Sequence, residues 1–334
     1  MIETAAAGSA PADAPVLVLV DHHDAGVRAP VLELLTVARG LGVVHAVWFG
    51  DGVEGALEQL GAYGVATVHQ VTVGDGTAPL PPSAAEALAE VLVASGATTV
   101  LVSSTFENKE VAARLALVAD AGLVVDASGV EREADGRVVT VQQAFASTWT
   151  VRAEVRAGRA VVALKANAAP AEPVEAPRTP HVLRHEVTLA SDHGVRVVER
   201  TPRAASDRPE LGEAQVVVVG GRGTEGDFSV VEELADALGG AVGATRVATD
   251  EGWIGHEAQI GQTGVTISPR LYIGAGVSGA VHHRGGMQAS GTIVAVNNDP
   301  EAPIFEIADL GIVGDLFTVL PQATAEIRRL AAER

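Results

Sequence analysis

Cysteine is absent from the 334-residue sequence, which removes disulfides, thiolate nucleophiles and cysteine-ligated zinc or iron–sulfur centres. Redox chemistry must therefore come from a bound organic cofactor or a partner. Aromatic residues are scarce, 3% of the chain against 47% hydrophobic overall, so the cores must be built from Val, Ala and Leu. Such a composition favours α/β layers over a β-sandwich. Positive charge is in deficit: 23 Lys and Arg stand against 42 Asp and Glu, a net charge of −19. That field repels phosphate backbones and anionic membranes, so nucleic acid is not expected as a partner. No apolar run approaches the roughly 20 residues that cross a bilayer, so no membrane insertion is expected. Met1 to Pro15 is rich in Ala, Gly and Pro and carries acids but no Lys or Arg, the opposite of a secretory or transit signal. Residues 1–14 are expected to be a disordered tail, and the expected location is cytoplasmic.

What is present is a repeated alternation of apolar runs and helical stretches, in a chain long enough for two domains. The expected division is an N-terminal α/β domain over 15–200, a linker over 201–212 and a C-terminal doubly wound α/β domain over 213–334. In the first, Val16–Val20 reads as a buried strand ending in Asp21-His22-His23-Asp24, whose histidines are either ligands or solvated loop residues. Helices are expected near 30–40, 53–60, 83–95 and 107–120, the last capped by Gly122, between strands at 43–49, 65–68, 98–102 and from 123. This alternation predicts a parallel sheet covered by helices. Between Val130 and Val198, Asp135-Gly136, Ala157-Gly158 and Asp192-His193-Gly194 read as hairpin signals, predicting antiparallel additions. The proline-rich stretch 170–180 should cross a surface.

The second domain opens with a strand at 214–219, the glycine turn Gly220-Gly221-Arg222-Gly223 and a helix at 228–238 closed by Gly239-Gly240. Strand, glycine turn and helix place free N–H groups where an anion can sit. The turn lacks the spacing of a nicotinamide fingerprint. From Gln259 to Asn298 three glycine-rich turns separate apolar runs (Val265–Ile267, Leu271–Ile273, Thr292–Val296), each read as a buried strand feeding the next turn. Hydroxyls at Thr263 and Ser278 and imidazoles at His282 and His283 lie among them, with Ser278 placed to cap a short helix opening at Gly279-Ala280-Val281.

This stretch resembles the signature of the electron transfer flavoprotein alpha subunit. The matching pieces are Leu271-Tyr272-Ile273, Gly276-Val277-Ser278-Gly279-Ala280, His283, Gly286-Met287 and Ala295-Val296-Asn297. The likeness runs from about Ala214 to Pro321, through Val242-Gly243-Ala244-Thr245-Arg246, Gln259-Ile260-Gly261-Gln262-Thr263-Gly264 and Ile312-Val313-Gly314-Asp315-Leu316-Phe317. The resemblance implies that the second domain binds FAD. It places Arg246 over the flavin face, Thr263 and Ser278 facing the ring, and His283 donating to its pyrimidine end. Arg222, Thr245, Ile260, Gly261, Gln262, Gly279, Ala280, Val281, Asn297, Asp315 and Leu316 are matched to further FAD contacts. Two positions depart from the family: His282 stands where glutamine is usual and Arg284 where an apolar residue is common, so a second imidazole and an added cation are expected beside the flavin, raising its potential or altering the stability of its semiquinone.

The same resemblance implies a heterodimer with a beta subunit, held by the first domain. Such a pair takes electrons from dehydrogenases, such as the acyl-CoA dehydrogenases of fatty acid beta-oxidation, and passes them to a quinone oxidoreductase or another acceptor. It is an electron carrier with no catalytic residue of its own and no metal. An electron-bifurcating subunit is an alternative within the family. From another class, Gly276-Val277-Ser278-Gly279-Ala280 approaches a hydrolase nucleophile elbow with His283 as base, although the closing glycine is missing. A third reading makes the first domain a nucleotide-binding module, against which stands its lack of a Walker A motif.

Overall fold

A computed structural model describes residues 14–333 apart from 24–25, 75, 77–78, 146, 191–193, 196 and 200–206. Most of the expected tail, half of the expected linker and the turn signal at 192–193 lie outside the described residues. The chain splits into two compact units, residues 1–142 with 150–201 and residues 143–149 with 202–334.

The first unit is a nine-stranded sheet. Its strands are β1 (Pro15–Leu19), β2 (Val43–Phe49), β3 (Thr67–Val73), β4 (Thr99–Ser103), β5 (Gly122–Arg132), β6 (Val138–Ala144), β7 (Trp149–Val155), β8 (Ala160–Leu164) and β9 (His181–Val187). Their order is β9-β3-β2-β1-β4-β8-β5-β6-β7. From β9 to β5 every pairing is parallel, and β6 then pairs antiparallel with β5. The helices α1 (Ala29–Ala38), α2 (Leu57–Ala62), α3 (Pro81–Ser95) and α4 (Phe106–Val118) supply the crossovers. Two apolar clusters form, one containing Leu88, Val102 and Leu115, the other Leu34, Trp48 and Leu101. Neighbouring residues of β4 divide between them, as expected for a sheet buried on both faces.

The Asp135-Gly136 signal is a real hairpin, with Gly136 at φ 85°. Ala157-Gly158 is not one. β8 leaves β7 and inserts between β4 and β5, parallel to both. The reason is burial: all five residues of Ala160–Leu164 are buried, and such a strand belongs inside a parallel sheet whatever the preceding turn favours. The proline-rich stretch then carries the chain, largely exposed, to the opposite edge. The end of α4 also differs from expectation. Asp120 takes the left-handed conformation at φ 50°, which Asp tolerates better than most residues. Gly122 instead opens β5, where a Cβ would lie 2.5 Å from Val155 Cγ1.

The second unit is a five-stranded parallel sheet of β10 (Val216–Gly220), β11 (Ala241–Ala244), β12 (Leu271–Ala275), β13 (Thr292–Asn297) and β14 (Leu310–Val313), in the order β11-β10-β12-β13-β14. Helices α5 (Ser229–Leu238), α6 (Arg246–Asp250), α7 (Val281–Met287) and α8 (Leu316–Ala332) complete it. This is a doubly wound fold, and its strand order reverses between β10 and β12, where such folds leave a crevice beyond the carboxyl ends of the strands. Val265–Ile267 forms no strand. It makes one isolated bridge, Ile260 to Val265, because Gly264 and Pro269 leave too little chain to continue a ladder.

Candidate functional site: the carboxyl edge of the second sheet

Loops from four strands meet at this reversal point. After β10, Gly223 N–H donates to the Gly276 carbonyl at 3.1 Å. A Cβ on Gly223 would lie 2.7 Å from Gly276 Cα, and one on Gly221 2.3 Å from the Gly276 carbonyl oxygen. The two glycine turns therefore pack backbone on backbone. After β11, Thr245 N–H donates to Gly220 O at 3.1 Å and Ile260 N–H to Ala244 O at 2.9 Å. After β12, Gln262 N–H reaches His282 O at 3.1 Å, and a Cβ on Gly286 would lie 2.5 Å from Gly261 Cα. The loop 259–264 and helix α7 are thus closed onto each other at two glycines.

On this scaffold Arg222, Arg246, Gln262, Thr263, Ser278, Ala280, Val281, His282 and Asp315 are exposed, and Thr245 is half-buried. Arg246 is paired with Asp250 at 3.2 Å on the surface, a contact too weak to withhold its charge from a ligand. The amides of Ser278, Gly279 and Ala280 have no protein acceptor among the described residues. Gly279, at φ 84°, packs on Ile304. Ser278 does not cap α7. The helix starts at Val281, so Ala280 occupies the N-cap position, without a side-chain bond, and the Ser278 carbonyl accepts from Ile304 N–H at 3.0 Å.

Other matched residues are part of the framework. Leu316 and Ile260 are buried, 5% and 1% exposed. Asn297 is buried too, donating to Val277 O at 2.9 Å and accepting from Asp299 N–H at 3.0 Å. Asp315 caps α8 through Phe317 N–H at 3.0 Å. Arg284 is no free cation, since Glu306 holds it at 2.9 Å.

His283 is 6% exposed. Its Nε2 lies 2.8 Å from Tyr272 Oη and its Nδ1 3.2 Å from the Ile260 carbonyl. Burial pushes the imidazole down to about 4, against a small opposing effect of the Ile260 carbonyl, so the ring is neutral near pH 7. With both nitrogens taken by protein, His283 cannot serve Ser278 as a base, and the hydrolase reading fails. Two residues that sequence reasoning passed over complete the picture. Tyr272 is fully buried behind His283. Gln259 bridges Thr249 and Thr263, accepting at 2.9 Å from the first and donating at 2.9 Å to the second. The available signal was polarity inside apolar runs: a tyrosine within β12 and a glutamine beside Ile260.

The site therefore offers guanidinium, amide, hydroxyl, imidazole and backbone N–H donors at the reversal point of a doubly wound sheet. That set fits a pyrophosphate and a polar heterocycle, and it defines the second unit as a dinucleotide-cofactor domain. The electron transfer flavoprotein FAD-binding domain model matches residues 210–288, and the electron transfer flavoprotein domain model matches 16–190. The chain is 44% identical over 319 residues to the electron transfer flavoprotein subunit alpha of Mycobacterium tuberculosis and 41% identical over 319 residues to that of Mycobacterium leprae. Each alignment covers 94% of this chain and 98% of the relative. It is 37% identical to the Syntrophomonas wolfei subunit alpha, over 93% of this chain and 98% of that protein. The chain belongs to the electron transfer flavoprotein alpha subunit family, and it is an FAD-binding protein of the electron transfer flavoprotein type. No helix among the described residues is long and apolar enough to cross a membrane.

Proposed function

We propose that the chain is the FAD-carrying half of a heterodimer with an electron transfer flavoprotein beta subunit. In this reading it takes electrons from dehydrogenases, acyl-CoA dehydrogenases among them, and delivers them to a quinone oxidoreductase or a comparable acceptor. The observation that carries the proposal is a site rich in donors at the reversal point of the second sheet, in which His283 is neutral and bonded at both nitrogens to protein and Asp315 caps a helix. A carrier needs to hold and tune its cofactor, not to move a substrate proton.

Bound FAD supplies one- and two-electron chemistry. Arg222, the free amides of Ser278 to Ala280 and the turn at 221–223 neutralise its pyrophosphate. Arg246 adds a permanent positive charge that favours reduced, anionic forms. Thr245, Gln262, Thr263, Ser278 and His282 donate to its polar edges, with Gly261, Gly279 and Val281 shaping the backbone around it. Ile260, Asn297, His283 and Leu316 support these from behind. The first unit holds the beta subunit.

Co-expression with a beta subunit encoded beside this gene tests the proposal. The expected result is a yellow one-to-one complex with about one FAD, reduced by an acyl-CoA dehydrogenase and its substrate and reoxidised through a quinone reductase. A complex that holds FAD but exchanges electrons with no dehydrogenase would refute the carrier role.

A further inference from the structure

Lysine is nearly absent from this chain. Of its 23 basic residues only Lys109 and Lys165 are lysines, and arginine fills every other such position. The two stand together. Lys109 lies in the first turn of α4, Lys165 directly follows β8, and both ammonium groups act on one carboxylate, that of Asp126 in β5. The ends of the neighbouring strands β4 and β8 lie beside it, next to the point between β1 and β4 where the strand order of the first sheet reverses. Val125 and Asp126 bulge opposite Ala163, between the pairs Val162–Val124 and Leu164–Ala127, and Asp126 takes the left-handed conformation at φ 55°. A bulge of this kind re-aims a side chain. Here it turns the carboxylate to accept from Ser104 Oγ at 2.8 Å and from Lys109 Nζ at 2.7 Å.

Two positive charges thus share one negative charge. Lys109 also packs over the Phe106 ring at 5.7 Å, whereas the half-buried Lys165 has no hydrogen-bond or ion-pair partner for its ammonium among the described residues. Burial holds that ammonium below its usual range, with Asp126 opposing the shift and Lys109 adding to it. Asp21, beyond the end of β1, is bound instead by Asn108 Nδ2 at 2.9 and 3.0 Å and is not among the charges acting on Lys165. A desolvated cation beside a second cation is costly unless something offsets it. In a chain of net charge −19, a local surplus of positive charge marks a place for an anion.

We propose that Lys165 and Lys109 form a binding site for a phosphate group at the carboxyl edge of the first sheet.

Donor count sets the ligand class. Lys165 has three N–H bonds to offer, and Lys109 has two beyond the one it gives Asp126, together more than the roughly four acceptor sites of a carboxylate. They suit the several oxygens of a phosphate, for which lysine serves as a compact point charge. The bound group supplies the negative charge that the fold withholds. This site does not depend on the cofactor reading of the second unit.

The test uses the full chain, labelled with carbon-13 lysine and assembled with unlabelled beta subunit, so that its two lysines give two ε-carbon signals. Lys165→Met removes one of them and assigns the pair. Without phosphate, the Lys165 signal is expected to titrate at lower pH than that of Lys109. Inorganic phosphate at about 10 mM is expected to move the Lys165 midpoint upward, while sodium chloride of equal ionic strength does not. Lys165→Met should weaken phosphate binding about tenfold, the effect of losing a charged hydrogen-bond donor, and Lys165→Arg should retain most of it. Glycerol 3-phosphate binding more tightly than inorganic phosphate identifies an organic phosphate as the ligand, and the reverse identifies the free ion; either supports the proposal. Acetate binding as tightly as phosphate, a Lys165 signal that phosphate leaves in place, or equal phosphate binding by wild type and Lys165→Met overturns it. If Lys165→Met fails to assemble, Lys165→Arg assigns the signals and the wild-type titration alone decides.

Discussion

Acid should loosen the first unit through a row of three histidines. His45 on β2, His69 on β3 and His185 on β9 stand on neighbouring strands at one side of the sheet. His45 Nδ1 lies 3.1 Å from His69 Nε2, and His69 Nδ1 lies 2.9 Å from His185 Nε2. His69 is 2% exposed. Burial first, then the charges that His45 and His185 would carry, push it from 6.5 down to about 4. The unfolded chain therefore takes up this proton near pH 6.5, and the folded one only near pH 4. Stability due to neutral His69 is complete above about 6.5 and is lost as the pH falls toward 4. A shift of that size corresponds to about 3 kcal/mol, a large share of the 5–15 kcal/mol typical of a folded protein. Urea unfolding between pH 7 and 4, with amide exchange followed in β3 and β9, measures the effect. His69→Gln, which cannot titrate, should flatten the pH dependence of these strands by about one proton. If wild type and variant lose stability in parallel across this range, the reasoning is wrong.

Three other outcomes follow from the second unit. His282→Gln should lower the flavin midpoint by about 30 mV, equivalent to about 1.4 kcal/mol for a two-electron couple. Arg284→Leu should move it less, since Glu306 already holds that charge; redox titration of both variants checks the order. Asn297→Ala should lower stability by about 2 kcal/mol whether or not FAD is bound, because the amide joins Val277 O and Asp299 N–H in a buried position; thermal unfolding of both forms checks it. Gly223→Ala should release FAD and destabilise the unit, since its Cβ would meet Gly276 backbone at 2.7 Å, and backbone cannot step aside; flavin content on purification checks it.

Much of this molecule is written locally. Valine-rich runs such as Val216–Val219 specify strands, prolines at the start of α1 and α3 specify helix beginnings, and the alternation of the two specifies parallel sheets. The glycine turns at 221–223 and 276–279 are also legible, because a backbone approach without room for Cβ demands that residue. Absence of cysteine and the shortage of positive charge excluded whole classes of chemistry before any fold was considered. Tertiary structure alone decided the rest. Nothing local says that Ala160–Leu164 threads between two earlier strands, since its partners on them lie 37 or more positions away in the chain. Nor could spacing show which of the polar residues in the 259–315 region face outward. Thr263, Ser278 and His282 do, whereas Asn297 and His283 are buried and spend their hydrogen bonds on the protein itself. A side chain's type fixes what it can bond to, but its availability depends on what the folded chain has already placed beside it.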